Sequence, residues 1–184
     1  MQRSRMPSSS HLSAIDVTRR GQPMRLSSQA SSSPTRADWR RKRCRVGRIS
    51  RSVLPDSAEL IQWNIGDEGF VMHLSGEVPA RIAQALETPE MRRAILGNRT
   101  ADEIPDWAVH AGGRSILDAV EHGLGLGAAA LAASRETLRR FGNMSSATLM
   151  FALAALMARA DIIDGIAVAF GPGLAAEGFA ISSI

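Results

Sequence analysis

Charge and composition change abruptly near residue 51 of this 184-residue chain, and that break limits what can fold. Residues 1–51 hold 12 Arg and 1 Lys against 2 Asp, a net +11, whereas residues 52–184 hold 9 Arg against 16 acids, a net −7. The whole-chain net charge of +4 and pI near 10.8 therefore describe the leading segment, not a basic folded domain. That segment carries the runs Ser8-Ser9-Ser10, Ser27-Ser28, Ser31-Ser32-Ser33 and Arg40-Arg41-Lys42-Arg43, and its apolar residues follow no period. Such a stretch cannot bury enough surface to offset its chain entropy, so residues 1–51 are expected to be a disordered Arg/Ser-rich tail. A plain solvated tail, a transit-like peptide, an out-of-frame reading and an arm for nucleic-acid phosphates all fit this composition. Only Trp39 could stack on a base there, so nucleic acid is not an expected partner.

Residues 52–184 carry the patterning of one domain with its own core. A single cysteine, Cys44, excludes an internal disulfide and a cysteine-based zinc site. The four histidines, His11, His73, His110 and His122, form no ligand spacing, so no metal is expected. Tyr is absent and aromatics make up 4% of the chain, which speaks against a sugar-binding cleft or an aromatic platform for nucleic acid. The longest apolar stretch, Ala147 to Ala158, spans 12 residues. A membrane-crossing helix needs about 20, so no membrane contact is expected, no secretory signal opens the chain, and the expected location is the cytoplasm.

The spacing of apolar and turn residues gives an order of elements. Val53-Leu-Pro55 reads as a short strand, and Trp63-Asn-Ile65 with Phe70-Val-Met-His-Leu74 as a hairpin around Gly66-Asp-Glu-Gly69. Val78-Pro79 opens a helix, interrupted at Pro89, with Ile82, Leu86, Ile95 and Leu96 at helical spacing. Trp107-Ala-Val109 is a strand ending at His110, and Ile116, Leu117, Val120 and Leu124 line one face of the next helix. Leu131 to Phe141 is an amphipathic helix. Residues 147–159 form a helix apolar nearly all round, expected to be buried and N-capped by Ser145 or Ser146. Ile166-Ala-Val-Ala-Phe170 and Gly178 to Ile184 are two strands able to pair. The fold class is α/β: a mixed sheet with helices on both faces and one buried helix, preceded by the tail.

Two segments can carry chemistry. His110 follows a strand and is backed by Gly112-Gly113, which let a ligand or another backbone come close. Asn143, in Phe141-Gly-Asn-Met-Ser-Ser-Ala147, sets a carboxamide just before a helix N-terminus, where negative charge is favoured. An imidazole and a carboxamide converging on one point would suit a developing oxyanion or enolate. A structural histidine and a helix cap are the plainer roles for the same two residues. Gly123-Leu-Gly125-Leu-Gly127 lacks the strand-to-helix context of a dinucleotide loop and reads as the stop of a helix.

In order and spacing, Leu54-Pro-Asp-Ser57, Gly66-Asp-Glu-Gly-Phe70, Leu74-Ser-Gly-Glu-Val-Pro79, Trp107-Ala-Val-His110-Ala-Gly-Gly113, Ile116-Leu-Asp-Ala-Val-Glu121, Gly142-Asn-Met-Ser-Ser-Ala147 and Phe170-Gly-Pro-Gly-Leu174 resemble the C-terminal part of type III polyketide synthases. These are the chalcone and stilbene synthase relatives within the thiolase-like superfamily. The resemblance covers residues 52–184 and implies the C-terminal half of a thiolase-like fold. It implies an acyltransferase that condenses malonyl-CoA with an acyl-CoA starter, with loss of carbon dioxide, in polyketide biosynthesis. It implies no cofactor beyond the CoA thioesters that are substrates, and a homodimer.

In that family a Cys-His-Asn centre does the work, and the resemblance places its His on His110 and its Asn on Asn143. It places a gate between the CoA tunnel and the cavity at Met72, the cavity wall at Ser145 and Gly171-Pro172-Gly173, and the CoA tunnel mouth at Gly113 and Ser115. Met72 reads equally well as a strand core residue. Ala111 stands where the family has proline after the His. The family's nucleophilic cysteine belongs to an N-terminal half with no counterpart here, and Cys44, within Arg-Arg-Lys-Arg-Cys-Arg, is no substitute. The Gly-Asp-Gly-Ala type of segment that usually precedes Leu-Pro-Asp-Ser is also replaced. These departures fit a truncated or frameshifted gene, so the chain alone is expected to be inactive. The contrasting reading is a non-catalytic remnant that binds CoA thioesters or a complementary half, and this half is expected to expose the apolar face that meets its twin.

Overall fold

The structure, a computed structural model, describes residues 43–159 and 162–184. Six strands and five helices follow in the order β1 (Cys44–Val53), β2 (Ile61–Gly66), β3 (Gly69–Leu74), α1 (Val78–Glu87), α2 (Pro89–Leu96), β4 (Asp106–Val109), α3 (Arg114–Leu124), α4 (Ala132–Phe141), α5 (Ala147–Arg159), β5 (Asp164–Gly171) and β6 (Ala175–Ser183). Four strands form one sheet in the order β1-β6-β5-β4. β4 and β5 are parallel, and the β5–β6 and β6–β1 pairs are antiparallel, so the sheet is mixed. The remaining two make the hairpin β2–β3, turning between Gly66 and Gly69.

Side chains of successive strand residues point to opposite faces, and the two faces bury separate cores. Trp107, Val109, Ile166, Val168 and Phe170 share one core with Ile82 and Leu86 of α1, Ile95 of α2, and Leu117 and Val120 of α3. Ala108, Ala167 and Ile181 share the other with Ala133 of α4 and with Leu149, Ala152 and Leu156 of α5. Helices therefore cover both faces, as the strand–helix alternation predicts. Helices α1 and α3 press together at Gly123, where a Cβ would lie 2.7 Å from the Ala83 carbonyl oxygen.

Three expectations need correction. The boundary at residue 51 falls inside β1, because residues 44–51 belong to the sheet and not to a tail, while residues 1–42 lie outside the described residues. β1 pairs with β6 from Cys44↔Ser183 to Val53↔Ala175, with an irregularity between Val46 and Ile49. Its arginines are compatible with a strand because β1 is an edge, where outward charge is tolerated and blunts further pairing. Arg48 reaches back to the last turn of α2, donating to the carbonyls of Ala94 (2.7 Å) and Ile95. Those carbonyls have no partner within the helix, and a cation there also meets the negative end of the helix dipole. Arg48→Ala should therefore lower stability by about 1 kcal/mol, read as a lower urea midpoint at unchanged slope; an unmoved midpoint would count against this link.

The second correction concerns α5. Its apolar circumference is buried along one stripe, Thr148, Leu149, Ala152 and Leu156, while Met150 and Phe151 stay 50% and 45% exposed. It covers one face of the sheet and is not enclosed on all sides. The third concerns its start, which is not held by the serine hydroxyls. The Ser145 carbonyl accepts from Thr148 N–H at 2.9 Å, and the Thr148 hydroxyl accepts from Met144 N–H at 2.7 Å. Large apolar side chains are also exposed on β1 (Val46, Ile49, Val53) and on the hairpin (Trp63, Ile65, Phe70). No helix among the described residues is long and apolar enough to cross a membrane.

Candidate active site

His110 stands at the carboxyl end of β4, the parallel edge of the sheet, where open α/β sheets place their ligands. Its backbone N–H continues the ladder to Val168 O at 2.9 Å, and its carbonyl accepts from Gly112 N–H at 3.0 Å. The chain thus leaves the sheet sharply just after the imidazole. β4 is held from its open side as well, since the buried Ser134 hydroxyl of α4 accepts from Val109 N–H at 2.9 Å. Ser134 was not foreseen from the sequence; a lone serine on the apolar face of an amphipathic helix is the signal that could have found it.

Asn143 comes from the loop that joins α4 to α5. Gly142 ends α4 with φ 70° and Ser145 turns the chain with φ 57°, so the loop needs a left-handed conformation twice. Between these turns the Asn143 carboxamide is pinned on several sides. Oδ1 accepts from Ser145 N–H at 2.9 Å and from the Thr148 hydroxyl at 3.4 Å, and Nδ2 donates to Gly112 O at 3.2 Å. His110 Nε2 lies 3.4 Å from Asn143 Oδ1. The two residues singled out from sequence, 33 positions apart, therefore meet side by side.

The other expected positions fall around this pair to different degrees. Gly113 is the residue before α3, next to the Gly112 carbonyl that holds Asn143, and Ser115 is exposed in the first turn of that helix. Gly171 ends β5 and Pro172-Gly173 follow it, and the Val109↔Val168 register puts Gly171 about 7 Å further along and one strand over from His110. Ser145 belongs to the Asn143 loop itself. Met72 pairs with Trp63 on the hairpin and is 52% exposed, which overturns its reading as a strand core residue. The hairpin lies beside the Pro172–Leu174 turn through β2.

Cys44 is remote from the pair. It opposes Ser183 on β1, the far edge of the sheet, and at the opposite end of the strands. Counting the register gives about 20 Å along the strands and three strand spacings, about 14 Å, across. Its thiol approaches Met157 Sδ at 4.0 Å. A hollow of about 490 Å³ lined by Asp118, Glu121, His122, Gly125 and Leu126 lies along the later part of α3 and not at His110. Two of its lining carboxylates, Glu121 and Asp118, pair with Arg135 at 2.7 Å and 2.8 Å; the hydrogen bond to Glu121 above all raises the guanidinium pKa. Among the described residues no group of His, Cys, Asp or Glu is arranged to hold a metal.

What the site offers is hydrogen-bond donation without a nucleophile. One N–H of Asn143 Nδ2 is not engaged by Gly112, and the imidazole Nε2 lies 3.4 Å from Oδ1 of the same carboxamide. Groups held this rigidly can stabilise charge as it develops, with no reorganisation at the moment of reaction.

Comparisons with known proteins identify the family and the fold of the domain. The profile described as "Chalcone and stilbene synthases, C-terminal domain" matches residues 46–184. The crystal structure of PKS-I from the brown alga Ectocarpus siliculosus superposes with a TM-score of 0.69 at 27% identity, covering 77% of this chain and 40% of that one. The C-terminal type III polyketide synthase domain of 'Steely1', a type I/III hybrid from Dictyostelium, shares the fold with a TM-score of 0.66 at 24% identity, again covering 77% and 40%. The chain thus spans about two fifths of the length of these relatives. The profile match takes in β1, which confirms that the domain begins before residue 52. With the profile covering every described element from Val46 onward, the chain belongs to the chalcone and stilbene synthases and carries their C-terminal domain.

Proposed function

We propose that this chain supplies the His-Asn part of a type III polyketide-forming centre, in which His110 and Asn143 steady the thioester carbonyl of malonyl-CoA during decarboxylation. The observation that carries the reading is the 3.4 Å approach of His110 Nε2 to the Asn143 carboxamide at the carboxyl end of β4. In the reaction the bond between the malonyl α-carbon and its carboxylate breaks and carbon dioxide leaves. The electron pair passes into the thioester as an enolate, whose oxygen takes the free Asn143 N–H and the imidazole N–H. Asn143 is exposed and His110 half-buried in this chain, so such donors supply about 3–4 kcal/mol each only once an assembled partner segment excludes water from the pair.

Carbon–carbon bond formation then requires an acyl group on a thiol, from which the enolate carbon displaces thiolate. Cys44 does not fill that role, because it occupies the opposite edge and end of the sheet. The acyl-carrying cysteine therefore comes from a polypeptide segment outside residues 43–184. The exposed apolar residues of the hairpin and of α5 suit contact with that segment. CoA enters past Gly113 and Ser115, and the product grows against Ser145 and Gly171-Pro172-Gly173, with Met72 between the two spaces. CoA thioesters are the only small molecules required, and the assembled enzyme acts as a homodimer. The same position of Cys44 favours a second reading, a remnant that binds CoA thioesters or a complementary half without turnover.

The test incubates the chain with malonyl-CoA and an acyl-CoA, alone and with the cysteine-bearing remainder of a type III polyketide synthase, and follows carbon dioxide and pyrone. Pyrone formed only by the pair, and lost in His110→Ala, is the expected result. Thioester binding with no turnover in either mixture selects the remnant. Turnover indifferent to His110→Ala overturns the assignment of the site.

A further inference from the structure

Thr148 stands out as the one hydroxyl in the apolar run from Ala147 to Ala158, and it is fully buried. A buried hydroxyl left without partners destabilises the fold, so it must find them. A threonine in a helix commonly donates back to the carbonyl four residues earlier. Here its oxygen instead accepts from Met144 N–H at 2.7 Å, and its proton is directed to Asn143 Oδ1 at 3.4 Å.

Asn143 offers two acceptor sites on Oδ1 and two N–H donors on Nδ2. Ser145 N–H and the Thr148 hydroxyl meet the oxygen, with His110 Nε2 also 3.4 Å from it, and Gly112 O takes one N–H. Reversing the amide would set NH2 against the Ser145 N–H and the carboxamide oxygen against the Gly112 carbonyl. The network therefore selects one orientation and leaves one N–H directed away from these partners.

We propose that Thr148 is a positioning residue for the reaction: its buried hydroxyl ties the 142–146 loop to α5 and fixes the Asn143 carboxamide so that one Nδ2 N–H remains for the enolate oxygen. The proposal rests on the reading of Asn143 as an oxyanion donor, and it concerns a residue that touches no substrate. Thr148→Val keeps the shape and removes the hydroxyl. Thr148→Ser keeps the hydroxyl and removes the methyl group.

The full chain, labelled with ¹⁵N, is compared as wild type, Thr148→Val and Thr148→Ser, with Asn143→Asp identifying the Asn143 side-chain amide signal. In Thr148→Val that signal should shift and its protons exchange faster with water, and Thr148→Ser should restore both. If Thr148→Val does not fold, Thr148→Ala is read in the same way. An Asn143 signal superimposable on wild type in the variant lacking the hydroxyl overturns the proposal. In the complemented assay Thr148→Val should lower kcat for carbon dioxide release about tenfold with KM for malonyl-CoA within about twofold; a raised KM at unchanged kcat overturns it. A complemented wild-type mixture that releases no carbon dioxide would instead sink the functional reading, and the amide signal would still decide the role of Thr148.

Discussion

Alanine at Trp107 is expected to remove about 3–5 kcal/mol of stability, the range for deleting a large aromatic side chain from a packed core. Trp107 is 1% exposed, the largest of the fully buried side chains, and its indole N–H donates to Ile104 O at 2.9 Å. Truncation opens a cavity between the sheet and the α1–α3 layer and also leaves the Ile104 carbonyl without its donor. That loss approaches the whole stability of a marginal domain, about 5 kcal/mol at the low end. The effect reaches the site because Trp107 lies three residues before His110 on β4. Urea unfolding followed by tryptophan-independent circular dichroism checks it, and Trp107→Phe, which refills most of the volume, should recover much of the loss. A Trp107→Ala midpoint equal to wild type would mean that β4 does not anchor the core.

Asn143→Ala should reduce carbon dioxide release from malonyl-CoA by about 10²–10³-fold in the complemented assay, the usual cost of one oxyanion donor. Asn143→Asp is the sharper variant. A carboxylate can still accept from Ser145 N–H and from the Thr148 hydroxyl, but its second oxygen faces the Gly112 carbonyl where Nδ2 had donated. It has no N–H to donate when ionised, and its charge opposes an enolate. Asp should therefore be no more active than Ala. Full activity in Asn143→Asp would show that the amide protons have no part in the reaction.

Much of the fold was legible because its signals are local. Gly66-Asp-Glu-Gly69 marks the hairpin, Pro79 and Pro89 mark the starts of α1 and α2, and Trp107-Ala-Val109 marks β4. β1 was not legible, because its evidence is not in its own residues. Cys-Arg-Val-Gly-Arg-Ile-Ser-Arg-Ser-Val presents no buried alternation, only Ser50 is buried, and its partner β6 lies at the other end of the chain. The carbonyls that employ Arg48 are 46 and 47 residues away. An edge strand of this kind looks like tail until its sheet is known. The half-covered state of α5 was hidden for a related reason, since a helix apolar on every side does not state which face the sheet will take.

His110 and Asn143 were legible as residue types in suggestive settings, a strand end backed by glycines and a turn before a helix. Each setting alone also fits a structural histidine or a cap. Their convergence depends on α4 and α5 folding back over β4, a tertiary fact that no local pattern carries. Thr148 and Ser134 were missed because a hydroxyl in an apolar helix was read as part of the helix. The better question was which backbone or carboxamide group it must satisfy.

A double-mutant cycle asks whether His110 and Asn143 act on one and the same oxygen. Carbon dioxide release from malonyl-CoA is measured for wild type, His110→Ala, Asn143→Ala and the double variant in the complemented assay. Groups that work as a unit give strongly non-additive losses, so the double variant should be within about a few-fold of the worse single one. Losses that multiply would contradict the account, because they would mean that the imidazole and the carboxamide serve separate steps.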